Sequence, residues 1–139
     1  MNQEHVKALV TKRMQQAQEC LEDGRYLLTA GRGTRTVVNR AYYAAFYAVL
    51  ALLQTLGKAP RKHRGAIGLF NAEFIRTGIL EKELSIALHQ LFDERQEDDY
   101  RRFDPIPIEE ANELLGVAER FVHSVGEHLR QGGYALTSS

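Results

Sequence analysis

The sequence has no tryptophan, only three prolines and a single cysteine, and its 18 basic residues are matched by 18 acidic ones. One cysteine excludes an internal disulfide, so Cys20 reads as a small buried hydrophobe in a chain suited to a reducing cytoplasm. Zero net charge excludes bulk attraction to nucleic acid, so any such contact must come from a local patch. The stretch from Met1 to Gln18 is broken by Glu4, Lys7, Lys12 and Arg13 and has no signal-peptide core. Scarce prolines and long periodic stretches point to an all-α class, and 139 residues suffice for one core but not two.

Motifs of metal and nucleophile chemistry are missing as well. No two of the five histidines stand four apart. His123 with Glu127, and His89 with Asp93, have helical spacing, but two ligands do not make a metal site. There is no glycine-rich phosphate loop and no serine or cysteine in a nucleophile motif. Neither a metal nor a cofactor is expected.

The most informative segment present is the apolar run of thirteen residues from Ala41 to Leu53, AYYAAFYAVLALL, with Arg40 directly before it. It falls well short of the ~20 apolar residues of a membrane-spanning helix. It should be the central helix of a bundle, covered on every side by the chain itself or by a second subunit. The hydroxyls of Tyr42, Tyr43 and Tyr47 need partners where they are buried.

Periodicity predicts an up-and-down bundle of four long helices plus one short one over residues 1–131, followed by an unstructured tail at 132–139. The first helix carries Val6, Leu9, Val10, Met14, Ala17, Leu21 and Leu28. Thr34 suits an N-cap for the second, which is expected over Thr36 to Leu56 with Gly57 as its stop. A short third helix places Ile67, Phe70 and Phe74 inward and ends near Thr77-Gly78. The fourth, from about Glu81, shows Leu84, Leu88 and Leu91 on one face. Pro107 suits the first position of the last helix, which buries Ala111, Leu115, Ala118, Val122, Val125 and Leu129.

Two places invite chemistry. The stripe of the fourth helix continues by the same steps onto Arg95 and Asp99. The acid lies C-terminal to the base, the weaker order for a local ion pair, so helix stability is a poor reason for them. They fit either a structural network at the bundle end or a functional pocket. The second place is the loop into helix three, where Lys58, Arg61, Lys62 and Arg64 surround His63. Basic side chains beside a helix start favour a phosphate, although short basic loops are often merely solvated. Arg32 and Arg35 are candidates for the same field.

Four blocks resemble the HEPN family (higher eukaryote and prokaryote nucleotide-binding). They are Asn39-Arg40-Ala41-Tyr42-Tyr43-Ala44-Ala45-Phe46, His63-Arg64-Gly65 leading to Leu69-Phe70-Asn71, Thr77-Gly78-Ile79-Leu80, and Arg95-Gln96-Glu97-Asp98-Asp99-Tyr100. The resemblance implies a helical bundle that forms homodimers and acts with a small nucleotidyltransferase, often as a toxin–antitoxin pair. Members that cleave RNA carry an arginine followed after four to six residues by a histidine. Arg95 fits the arginine, but the histidine positions hold Tyr100, Arg101 and Arg102. A tyrosine, with its ordinary pKa near ~10, is a poor base at neutral pH.

The reading that follows is a non-catalytic module of the cytoplasm that binds a nucleotide or RNA phosphate. Arg40, Tyr43, His63, Arg64, Arg95, Asp99 and Tyr100 are its candidate ligand-binding residues. Two alternatives stay open. One is a metal-independent ribonuclease toxin using Arg95 with Tyr100 or His63. The other is a structural dimerisation module whose polar stripe fixes register. Tyr100 is also a candidate for nucleotide transfer by the partner.

Overall fold

The computed structural model describes residues 2–100 and 104–136, with the backbone alone for 96–100. The elements are α1 (Gln3–Thr29), α2 (Thr34–Gln54), α3 (His63–Phe70), α4 (Lys82–Tyr100) and α5 (Ile108–Gln131). A π-helical turn, Asn71–Ile75, continues α3. No strand occurs among the described residues. The all-α class and the set of four long helices and a short one are as expected.

Each boundary has a local cause. The Asn2 side chain accepts a hydrogen bond from the Glu4 N–H at 2.7 Å and so caps α1. The turn into α2 uses Gly31 and Gly33, with φ of 71° and 70°. Gly33, not Thr34, is the N-cap of α2, and Thr34 is its first helical residue. Gly57, with φ 71°, stops the chain from continuing α2. Pro107 precedes α5 as its N-cap instead of being its first residue, and Glu109 and Glu110 occupy the favourable first turn. Beyond Gln131 the chain continues without helix through Leu136, with Tyr134 and Leu136 packed against the core.

Helix three does not run evenly to Thr77. It widens after Phe70 into the π turn, within which Phe74 stacks on Phe70 with ring centroids 6.2 Å apart. The same turn lets Asn71 accept a hydrogen bond from the Ser85 hydroxyl at 2.7 Å, and Glu73 meet Lys58 at 3.1 Å. The π turn thus carries three residues, Asn71, Glu73 and Phe74, that contact other parts of the fold or the preceding turn.

Helix α2 is the axis of the bundle and packs against α1, α3, α4 and α5. By length and composition alone it is long and apolar enough to cross a membrane, yet 67% of its most apolar window is buried inside the domain. Its cover is incomplete along one stripe: Tyr43, Tyr47 and Leu50, at steps of four and three, are only partly buried.

Close approach of α1 to its neighbours requires Gly24. A Cβ there would stand 3.0 Å from Leu115 Cδ1 and 3.7 Å from Arg40 Cβ. Gly24→Val should therefore destabilise the fold by about 1–3 kcal/mol in urea titrations, although it removes a helical glycine. Gly68, with open space at its Cβ position, is the contrast. There Ala should stabilise by about 0.5–1 kcal/mol.

Candidate functional site

The side-chain pattern of α2 and α4 brings four of the candidate residues together around Tyr42. On α4, Leu88 and Leu91 are fully buried, and the same stripe ends at half-buried Arg95. Its guanidinium carbon lies 5.2 Å from the Tyr42 ring centroid and 5.3 Å from that of Tyr43. On α2, Arg40 precedes Tyr43 by three residues, less than one helical turn, and its guanidinium carbon is 5.4 Å from the same ring. The Tyr43 ring thus has two guanidinium groups within cation–π distance.

Arg40 is held by neutral partners. Its Nη2 and Nε donate to Asn39 Oδ1 at 2.8 and 3.3 Å, and its Nη1 to Cys20 Sγ at 3.4 Å. Among the described residues it makes no ion pair, so its charge remains available to an anion. Burial pushes the Cys20 thiol up, and Arg40 offsets part of that rise. Cys20 is buried, as expected of a small hydrophobe.

His63, the first residue of α3, closes the other side of the cluster. Its Nδ1 lies 2.8 Å from the Tyr42 hydroxyl, and its ring stacks on Phe46 at 4.1 Å between centroids. Burial first, and then the Arg95 charge, hold its pKa below the ordinary value. The ring is therefore neutral at neutral pH. Either the Tyr42 hydroxyl donates to Nδ1, with the ring proton on Nε2, or Nδ1–H donates to the phenol oxygen. Tyr42 itself is fully buried, and burial raises its phenol far above the ordinary tyrosine range, so it stays protonated.

A pH dependence follows from the direction of the His63 shift. A histidine whose folded pKa is depressed stabilises the fold fully above the unfolded value of ~6.5, and that contribution drains away as pH falls through the folded pKa. Denaturation midpoints should fall below about pH 6.5, and His63→Gln should flatten that decline. An NMR titration of the His63 ring gives the folded value directly.

No contact among the described residues joins the other candidates to this cluster. Arg64 is exposed on the first turn of α3 and has no hydrogen bond, ion pair or ring contact among the described residues. Arg61 and Lys62 are also exposed, whereas Lys58 is committed to Glu73. Arg35 donates from Nη2 to the Asp104 carbonyl at 2.9 Å and so ties α2 to the segment before α5. Asp99 and Tyr100 occupy the last turn of α4, and their side chains lie outside the described residues, as do Arg101 and Arg102 altogether. Sequence reading missed Tyr42 as the centre of the cluster and Phe46 and Asn39 as its supports. The spacing of Tyr42 and Phe46, four apart on one helix, was the available signal.

No three His, Cys, Asp or Glu side chains are grouped to hold a metal among the described residues. What the cluster offers is cationic and aromatic: two guanidinium groups, a half-buried phenol ring and a neutral imidazole. That suits binding of a phosphate or a nucleobase face better than proton transfer.

The fold and this cluster define an all-α domain with an arginine–aromatic patch on its central helix. The chain belongs to the HEPN domain family, whose model matches residues 10–129. A UPF0332 protein of Thermotoga maritima is 38% identical over 109 residues, 78% of this chain and 82% of its own length. Two proteins of Methanocaldococcus jannaschii, each named “Putative toxin”, are also similar. One is 38% identical over 92 residues, 66% of this chain and 63% of its own length. The other is 34% identical over 97 residues, 70% of this chain and 72% of its own length.

Proposed function

We propose that this protein is the HEPN half of a toxin–antitoxin-like pair. It is a cytoplasmic homodimer that binds nucleotide or RNA phosphate without cleaving it, and it acts with a small nucleotidyltransferase. The observation that carries this reading is a pair of guanidinium groups over the Tyr43 ring, with the charge of Arg40 met, among the described residues, only by neutral partners. The partly covered stripe Tyr43, Tyr47 and Leu50 runs on from that cluster and supports a seam with a second copy there. The names of the two Methanocaldococcus relatives support the toxin–antitoxin setting. Tyr100, Arg101 and Arg102, where the cleaving members have histidine, support binding over hydrolysis.

Isothermal titration with ATP, GTP and short 5′-phosphorylated RNAs tests the binding, and sedimentation tests the dimer. Saturable heat with at least one of them, with the RNA recovered intact, is the expected result. No heat with any ligand, and no complex with a nucleotidyltransferase encoded beside it, would sink the reading.

A second reading has one observation in its favour. His63 is neutral and electrostatically coupled to Arg95, as a base and a phosphate-stabilising cation would be in a metal-independent ribonuclease. Against it, Nδ1 is occupied by Tyr42 and the ring is stacked on Phe46. Growth arrest on expression that is lost in His63→Ala would establish this second reading.

A further inference from the structure

A second feature shares no residue with the arginine cluster. Residues of α4, of the segment just before it and of α5 line an open hollow of about 650 Å³. On its apolar side stand Ile79 and Ile86, 52% and 59% exposed, with partly buried Leu84 and Val117 beneath them. Isolated surface isoleucines are ordinary, but here two border one hollow whose lining also includes Leu84 and Val117. A small molecule is a poor occupant, because its pocket should bury most of the ligand and this one is open.

The polar rim decides the sign of the partner. Glu81, Glu83 and Glu127 line the hollow against a single permanent cation, Arg120. Glu127 is paired with Arg130 at 2.7 Å, whereas Glu81 and Glu83 make no ion pair among the described residues. His123 and His128 also line it. With Glu81 and Glu83 set against Arg120 alone, the permanent charge of the rim is acidic. A groove between two helices has no unpaired strand edge to extend, so it is suited to a helix laid along it.

We propose that the α4–α5 groove docks an amphipathic helix of a separate protein, with large aliphatic residues at i, i+3 or i+4 and i+7 and lysine or arginine beside them. The aliphatic side chains cover Ile79 and Ile86, and the cations meet Glu81 and Glu83. This stands independently of the phosphate site, since no lining residue is common to both.

The test uses the full chain and a fluorescein-labelled peptide of about four helical turns, with leucines at those positions and lysines on the flanks. A second peptide carries glutamate in place of each lysine. Anisotropy should show the lysine peptide binding at least about tenfold more tightly than the glutamate peptide. Ile86→Asp should weaken it by about tenfold or more, and Glu83→Lys by several-fold. Tyr26→Asp, at an exposed position outside the groove, should leave affinity unchanged. Ile86 is largely exposed, so its variant should keep the wild-type circular dichroism and melting curve. Absence of binding, equal affinity for both peptides, or indifference to Ile86→Asp each overturns the proposal. So does a dimer that dissociates on Ile86→Asp, which would make the groove a contact between copies of this chain.

Discussion

Tyr42→Ala is expected to lower the stability of the fold by about 3–5 kcal/mol, the cost of emptying a fully buried aromatic site. The ring has no solvent exposure, and its centroid lies 5.2 Å from Tyr43, 5.9 Å from Phe46, 5.6 Å from His63 and 5.8 Å from Phe92. Arg95 and His63 both rest on it, so the cavity would also release the two polar groups that the candidate site shares. A domain of ordinary stability has only about 5–15 kcal/mol in total, so this single change should leave a marginal fold. Tyr42→Phe separates packing from hydrogen bonding. It keeps the ring and loses only the bond to Nδ1, which should cost about 0.5–1.5 kcal/mol because half-buried His63 has access to water instead. Urea denaturation of both variants gives the two numbers. A loss in Tyr42→Ala no greater than in Tyr42→Phe would mean that the ring is not the keystone of this corner.

The sequence made the scaffold legible and the chemistry only partly so. Apolar residues at steps of three and four located every helix, because burial on one face is a repeated demand that averages over many positions. All six apolar residues assigned to the core face of α5, from Ala111 to Leu129, are buried. Boundaries were less legible, since a cap depends on one backbone conformation: Gly33 took the place assigned to Thr34 because its left-handed φ of 70° is strained for a threonine. The π turn after Phe70 left no trace in periodicity, for it answers tertiary partners, Ser85 and Lys58, that are fourteen and fifteen residues away. The arginine stripe was readable because α4 continues its own pattern onto Arg95. The stacking of His63 on Phe46 was not, because it depends on how a loop returns α3 to α2, and no local pattern encodes that. Basic residues around His63 fitted either an anion site or a solvated loop, and Arg64 is exposed while Lys58 pairs with Glu73. Proximity in sequence was a poor guide to proximity in space.

Arg95→Ala is expected to weaken binding of the phosphate-bearing ligand by about tenfold to a hundredfold, the loss of a hydrogen bond to a charged group. Arg95→Lys should recover little of it, since the flat guanidinium over the Tyr42 and Tyr43 rings is replaced by a point charge that does not stack. If Arg40 and Arg95 grip the same phosphate, the double alanine variant should lose less than the sum of the two single losses. If they grip different phosphates along an RNA, the losses should add and the salt dependence should fall with each. The same variant separates the competing readings. A binding module loses affinity and shows no growth arrest before or after the change. A ribonuclease arrests growth until Arg95 is removed. In a dimer-register role, Arg95→Leu keeps or raises stability while no ligand binds either form, because replacing a half-buried cation by an apolar side chain removes its desolvation cost. Growth on expression, ligand titration and denaturation of the same variants therefore assign Arg95 a reaction, a ligand or a seam.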